Sequence, residues 1–282
     1  MLRGGDAVVF PLASRYLILT YFDIEQEIEI QLQGQNSSEL HTIIWSVFAR
    51  ALGKLNIERS QIKGLIQMNS HIMFGAGMGA SATLCVALTE FFASLGYLGD
   101  DQKYSFATDL ENLFHGESSG VDVAVTLFHK PLLFSRLNGF KNLEMQSHPK
   151  LYLSHTGVLG VTKDCVDQVK KMFLENRSAA SEIDEQMKKT VHQFQELLKA
   201  PQVDLNSWSK TMTAAHDCFE KWGLVNHAVE AHAGQLREAG ALAVKLTGSG
   251  GGGFMLSLWN QSPPRNMPFE MISCFQGSFG EN

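Results

Sequence analysis

A glycine-rich turn at residues 74–83 holds the first residues whose types and spacing could do chemistry. Its sequence is FGAGMGASAT, between a predicted strand and a predicted helix. Glycines let the backbone come close to a ligand, and the N–H groups at a helix start favour phosphate oxygens. Ser81 adds a hydroxyl for phosphate or Mg²⁺. The Gly-Lys-Ser/Thr ending of a Walker loop is absent, and a turn that only packs is the alternative interpretation.

A second segment, residues 111–122, brings two carboxylates together with several hydroxyls. Its sequence is ENLFHGESSGVD, with Glu111 at one end and Asp122 at the other. Mg²⁺ is usually held by one or two carboxylates plus the phosphates of a substrate. The segment therefore suits one metal ligand and one proton acceptor. The alternative is a solvated Glu on a helix followed by an ordinary Ser-Gly turn.

A third segment, residues 245–253, reads KLTGSGGGG and lies between two apolar strands. Five of the six residues from Gly248 to Gly253 are glycine, which is too many for a hairpin. Such a run indicates that a ligand or another part of the chain approaches the backbone closely. The alternative is a flexible linker, although linkers are seldom enclosed by apolar strands.

The hydrophobic periodicity predicts the elements that position these segments. The change from mixed α/β to helix-rich sequence predicts one domain over residues 1–150 and another over 151–282. The predicted strands cover residues 7–12, 15–22, 25–32, 62–73, 151–160, 242–247 and 254–259, and the predicted helices cover 39–52, 81–95, 101–114, 162–173, 181–198, 207–222 and 225–239.

Composition narrows the class of protein. The chain has 282 residues, 44% hydrophobic and 18% charged, with a formal net charge of -6. These values are typical of a globular protein, and a mildly acidic chain has no general attraction for nucleic acid or an anionic membrane. The four cysteines are widely spaced, which favours free thiols in a reducing compartment. No signal peptide is recognised, so we expect a cytoplasmic protein, and a homodimer is left open.

In this order, the three segments resemble the signature motifs of the GHMP kinase superfamily. The middle one, with His115-Gly116-x-Ser118-Ser119-Gly120-Val121-Asp122, resembles the mevalonate kinase form. The resemblance implies an α/β (α+β) two-domain fold with the active site in the interdomain cleft. It implies ATP-dependent phosphorylation of a small metabolite's hydroxyl, with mevalonate as the first-choice acceptor, as in isoprenoid precursor synthesis.

The resemblance also implies a role for each matching position, with ATP and Mg²⁺ as cofactors. Asp122 would accept the proton of the acceptor hydroxyl, Glu111 would hold Mg²⁺, and Ser81 would lie near both metal and phosphate. The positions that would bind ATP are Gly75, Ala76, Gly77, Met78, Gly79, Ala80 and Ser81 in the first segment and Thr247, Gly248, Ser249 and Gly250 in the third.

The beginning of the sequence departs from the family pattern. The family carries Pro-Gly-Lys and then Gly-Glu-His-Ala-Val-Val, and here Gly5 and Asp6 replace the Glu and the His of the second part. The position of the lysine falls before Met1, which leaves open a longer sequence upstream or a variant that compensates elsewhere. In the family that lysine is expected to lower the pKa of the catalytic aspartate.

Three interpretations follow from this departure. The first is an active mevalonate kinase. The second is a GHMP kinase for another small alcohol, which the Gly5-Asp6 pair favours. The third is a nucleotide-binding homologue with little catalysis, because the lysine motif is missing from the given sequence.

Overall fold

The computed structural model describes residues 5–33, 37–72 and 77–275, with the backbone alone at 37–39 and 115. Its strands are β1 (Asp6–Val9), β2 (Leu17–Glu27), β3 (Glu29–Gln33), β4 (Lys63–Ser70), β5 (Leu132–Ser135), β6 (Gly139–Asn142), β7 (Lys150–His155), β8 (Ala243–Leu246), β9 (Phe254–Trp259) and β10 (Ile272–Ser273). Its α-helices are α1 (Ser37–Leu55), α2 (Ala80–Ser94), α3 (Lys103–His115), α4 (Val121–Phe128), α5 (Thr162–Glu175), α6 (Arg177–Lys199), α7 (Leu205–Lys221) and α8 (His227–Glu238).

The chain divides into two compact units, and neither is one continuous segment. Unit 1 comprises Met1–Ser14, Gly75–Met78 and Lys130–Asn282, and unit 2 comprises Arg15–Phe74 and Gly79–His129. Residues 130–150 therefore belong to the same compact unit as the C-terminal half. The compact units and the predicted segments 1–150 and 151–282 are two different divisions of the chain.

Unit 2 is a three-stranded sheet with helices α1 to α4. The strand order is β2-β4-β3, with β2 antiparallel and β3 parallel to β4. Helix α1 is the crossover that a parallel β3–β4 pair requires. Ile28 and Ile30 are buried while Glu27 and Glu29 are exposed, because alternate side chains of a strand face opposite sides of the sheet. The buried isoleucines pack with aromatic residues of α1 and α2.

Unit 1 contains two antiparallel sheets and the helices α5 to α8. One sheet has the order β1-β5-β6, and the other has the order β10-β7-β9-β8. Every residue of β9 is buried, as expected for a central strand covered on both faces. This strand directly follows the third glycine-rich segment, which is thus attached to the interior of the unit.

The long helices and most strands lie where the periodicity predicts them, but four short elements were not predicted. These elements are α4, β5, β6 and β10. Helix α4 is mostly apolar and only eight residues long, which is too short for a clear helical period, and it begins inside the second chemical segment. Among the described residues, no helix has both the length and the apolar character needed to cross a membrane.

Candidate active site

In unit 2, Gly79 joins the first chemical segment to helix α2. Its backbone is left-handed, with φ 68°, a conformation that residues with a side chain rarely adopt. Thr83 fixes the turn, since its backbone N–H and its hydroxyl both donate to the Gly79 carbonyl oxygen at 2.9 Å. A Cβ atom on Gly79 would lie 3.6 Å from the Asp122 Cβ. The glycine turn and Asp122 are therefore neighbours, although 43 residues separate them.

Glu111 is the buried carboxylate of this group. Glu111 is 2% exposed and lies on α3, which also buries Phe106, Ala107 and Leu110. The Ser118 hydroxyl donates a hydrogen bond to its Oε2 atom, and the Ser81 hydroxyl forms another with the same carboxylate. The three predicted residues Ser81, Glu111 and Asp122 thus lie in one cluster, which we call the carboxylate cluster.

The pKa of Glu111 is raised to about 7, mainly by burial and also by the nearby charge of Asp122, while the hydrogen bonds from Ser118 and Ser81 oppose the rise. A bound cation would favour the charged form instead. Within the described residues, no cationic side chain contributes to this pKa. Two neighbouring carboxylates, one of them buried with only hydroxyl partners, are a hard-oxygen donor set that fits Mg²⁺.

The turn between α3 and α4 places Asp122. The Ser118 backbone N–H donates to Asn112 Oδ1 at 2.7 Å, and the Gly120 N–H donates to Ser118 Oγ at 2.9 Å. Asp122 then lies exposed in the first turn of α4, as Glu111 lies buried beside it. Ser118 was part of the recognised motif, but its bonds to both Glu111 and Gly120 were not predicted. Asn112 carried no signal in the sequence.

In unit 1, the third segment is a packed loop. All glycines from Gly248 to Gly253 have positive φ, and Gly250, Gly252 and Gly253 are buried. A Cβ atom on Gly251 would lie 2.8 Å from Cys165 Sγ, and one on Gly252 would lie 2.8 Å from the Val158 carbonyl oxygen. The glycines are thus required by close approach of other chain segments, as the sequence indicated, and the loop is not a free linker.

Hydrogen bonds hold this loop on three sides. Thr247 donates from its backbone N–H and its hydroxyl to the Phe254 carbonyl oxygen at 3.1 and 2.9 Å. The Gly253 N–H donates to the Val158 carbonyl oxygen at 2.8 Å, and the Ser249 and Thr162 hydroxyls are 3.2 Å apart. Of the four predicted ATP-binding positions in this loop, Gly248 is the exposed one and Gly250 is buried.

The remaining predicted positions are distributed as follows. Gly75 and Ala76 lie outside the described residues. Gly77 is exposed with φ 81°, and the Met78 side chain packs against an apolar cluster of unit 1. Ala80 is buried at the first position of α2.

Unit 1 also contains a small polar cavity at the start of β1. It has a volume of about 140 Å³, and its lining includes Gly5, Asp6, Lys188, His192 and Gln195. Gly5 and Asp6 are the residues that replace the Glu and His of the family pattern. A larger open depression of about 710 Å³ is lined by α6 side chains alone and contains none of the motif residues. Cavity volume alone therefore does not identify the candidate active site.

Comparison with known proteins agrees with this geometry. The family model for the GHMP kinases N terminal domain matches residues 40–130, and the model for the GHMP kinases C terminal domain matches residues 194–273. Together the two matches cover more than half of the chain. The chain belongs to the GHMP kinase superfamily, and the predicted resemblance and two-domain fold are confirmed.

Individual relatives point in the same direction. A mevalonate kinase of Thermococcus sibiricus is 28% identical over 76% of this chain and 66% of its own length. One of Pyrococcus horikoshii is 29% identical over 68% of this chain and 58% of its own length. The chain thus spans less than two thirds of these relatives.

A solved structure provides the fold comparison. It is the L. major mevalonate kinase in complex with R-mevalonate, which superposes with a TM-score of 0.78 at 24% identity. The superposition covers 93% of this chain and 82% of the L. major chain. At this level of identity the likeness concerns the fold.

Proposed function

We propose that this protein is an ATP-dependent kinase that phosphorylates the hydroxyl of a small metabolite, with mevalonate as its acceptor. The observation that carries the proposal is the carboxylate cluster, in which buried Glu111 and exposed Asp122 lie beside the glycine turn that starts α2. Phosphoryl transfer needs mainly positioning and neutralisation of charge. A helix start, a metal-binding carboxylate and a proton acceptor supply these functions.

The two carboxylates have different tasks in this proposal. Glu111, with the Ser81 hydroxyl, holds Mg²⁺, which when bound neutralises charge on the phosphates. Asp122 is exposed and lies 3.6 Å from where a Gly79 side chain would begin. It is therefore placed to orient the acceptor hydroxyl and to accept its proton.

The glycine segments bind the nucleotide. The first-turn N–H groups of α2, after Gly79, are directed towards the phosphates, because the start of a helix carries a partial positive charge. The loop at residues 247–250 presents Thr247, Gly248 and Ser249 from the rim of unit 1. Its packing against residues 158–162 preorganises it, which lowers the conformational entropy lost on binding.

A second acceptor class is favoured by one specific observation. Asp6 replaces the family histidine and lines the small polar cavity together with Lys188 and His192. This exchange of a histidine for a carboxylate changes the charge of the cavity lining. The second candidate function is therefore phosphorylation of a small alcohol other than mevalonate.

A coupled ADP-release assay with Mg²⁺-ATP and a panel of small alcohols tests the proposal, with ³¹P NMR to identify the product. We expect turnover on mevalonate with a phosphate ester as product. Turnover confined to uncharged alcohols would favour the second candidate. ATP binding by calorimetry without phosphorylation of any acceptor would refute the kinase proposal and favour a nucleotide-binding homologue.

A further inference from the structure

Helices α7 and α8 carry a group of ligand-type side chains that the proposed kinase does not use. His216 and Glu220 are four residues apart on α7, so they lie on one face of the helix. Glu230 is in the first turn of α8. The His216 Nε2 atom is 3.8 Å from Glu220 Oε1 and 3.9 Å from Glu230 Oε2, and the three ligand atoms all lie within 4.8 Å of one another.

His216 is the unusual member of this group. The residue is 2% exposed, and both of its ring nitrogens are buried without a hydrogen-bond partner. Buried polar atoms in native structures are nearly always paired, so an unpaired ring nitrogen needs an explanation. The two carboxylates are too far away to be that partner, since a hydrogen bond to nitrogen spans about 2.7–3.2 Å.

The carboxylates of Glu220 and Glu230 face the His216 Nε2 atom from two helices, and a metal ion between these atoms would give the buried nitrogen a partner. Arg237 Nη1 also binds Glu230 Oε1 at 2.8 Å, which leaves Oε2, the oxygen nearer His216, available.

We propose that His216 Nε2, Glu220 and Glu230 bind one divalent transition-metal ion of the Zn²⁺ type. One imidazole and two carboxylates suit Zn²⁺, and Mg²⁺ prefers all-oxygen sites. Zinc–ligand distances of about 2.0–2.2 Å place neighbouring ligand atoms roughly 3.3 Å apart. The observed separations of 3.8 and 3.9 Å need only a small rotation of the two half-exposed glutamates. A water completes the coordination.

The site joins the end of α7 to the start of α8, and the connection between them contacts the glycine-rich loop. The Gly251 N–H donates to the Leu224 carbonyl oxygen at 2.8 Å, and Asn226 Nδ2 donates to the Gly251 carbonyl oxygen at 2.9 Å. A metal that ties the two helices together therefore braces the support of this loop. The role is structural and is independent of phosphoryl transfer.

Metal-free protein titrated with ZnCl₂ tests the proposal. The site variant is E220Q/E230Q, because both glutamates are half-exposed and the amides keep their shape. The matched control is E175Q/E238Q, which makes the same change in charge at exposed positions of α5 and α8. Bound zinc is measured by equilibrium dialysis with elemental analysis, and stability by thermal melting with and without ZnCl₂.

We expect the wild type and the control to bind one Zn²⁺ per chain and to melt at a higher temperature with it. The site variant should bind at least ~10–100-fold more weakly, since a loss of this size follows even when only the hydrogen-bond partners of the metal ligands are changed, and its melting temperature should not respond to ZnCl₂. H216Q, with its fold checked by circular dichroism, should behave like the site variant. Co²⁺ should give visible bands without thiolate charge transfer. Equal zinc binding in the site variant, no zinc binding by the wild type, or a thiolate band would overturn the proposal.

Discussion

Glu111 gives the chain a pH-dependent stability that can be measured without substrate. Its pKa is about 7 in the folded protein, against an ordinary value of 4.5. Between these two values the folded state holds this proton more tightly than the unfolded chain, so the free energy of unfolding falls as the pH rises. The contribution is complete below pH 4.5 and is lost as the pH passes through 7. Each pKa unit is 1.36 kcal/mol, so the full change is about 3 kcal/mol.

The informative variant is E111Q, which has a neutral amide at every pH. From pH 4.5 to pH 8, the wild type should lose about 3 kcal/mol of unfolding free energy relative to E111Q. Urea unfolding at half-unit pH steps, in the presence of a chelator, measures this difference. E29Q is the matched control, because Glu29 is an exposed residue of the same unit and should leave the profile unchanged.

Mg²⁺-ATP should reverse the trend, since a bound cation favours the charged carboxylate. With saturating Mg²⁺-ATP, the pH dependence that distinguishes wild type from E111Q should flatten. If the unfolding free energies of wild type and E111Q change with pH in parallel in the presence of the chelator, the raised pKa of Glu111 is refuted. If Mg²⁺-ATP leaves the pH dependence of the wild-type unfolding free energy unchanged, Glu111 does not bind the metal.

Three further substitutions test the candidate site. D122N should lower turnover by ~10²–10⁴-fold with a smaller change in the KM for the acceptor, measured on an acceptor with clear wild-type activity; near-normal turnover would disprove its role as base. G79V should weaken ATP binding at least tenfold, or about 1.4 kcal/mol, because valine disfavours φ 68° and its side chain would crowd Asp122, whose Cβ is 3.6 Å from the new Cβ; unchanged affinity by calorimetry in a folded variant would exclude the turn from the nucleotide site. G251A should destabilise unit 1 by about 1–3 kcal/mol, because its Cβ would meet Cys165 Sγ at 2.8 Å; an unchanged melting temperature would contradict this.

Hydrophobic periodicity predicted those helices and strands in which the buried residues recur regularly on one face. Ile28 and Ile30 alternate with Glu27 and Glu29 around the start of strand β3, and α6 shows a polar face, so both elements were predictable from the sequence. Strands β5 and β6 are four residues each, and β1 pairs with β5 across more than 120 residues. Such pairing leaves no local signal, because it depends on contacts that form only in the folded chain.

The sequence predicted which residues form the carboxylate cluster, but it did not predict the contacts between them. Motif resemblance selected Ser81, Glu111 and Asp122, but glutamate is seldom buried, so nothing in the sequence indicated that Glu111 is. The bonds from Ser118 to Glu111 and Gly120 depend on the turn geometry at residues 116–120. The interdomain cleft and the role of each ATP-binding position stay predictions.

The pairing of β1 with β5 has a consequence for how the chain is made. Asp6 faces Ser135 across the sheet, and all of unit 2 lies between these partners in the sequence. On the ribosome, β1 emerges before β5 and waits without this partner until more than a hundred further residues have been synthesised. Folding of the intervening unit would shorten the effective loop that must close, and so lower the entropy lost when the strands finally meet. The hydrogen bonds between β1 and β5 thus form only after the whole of the intervening unit has been synthesised.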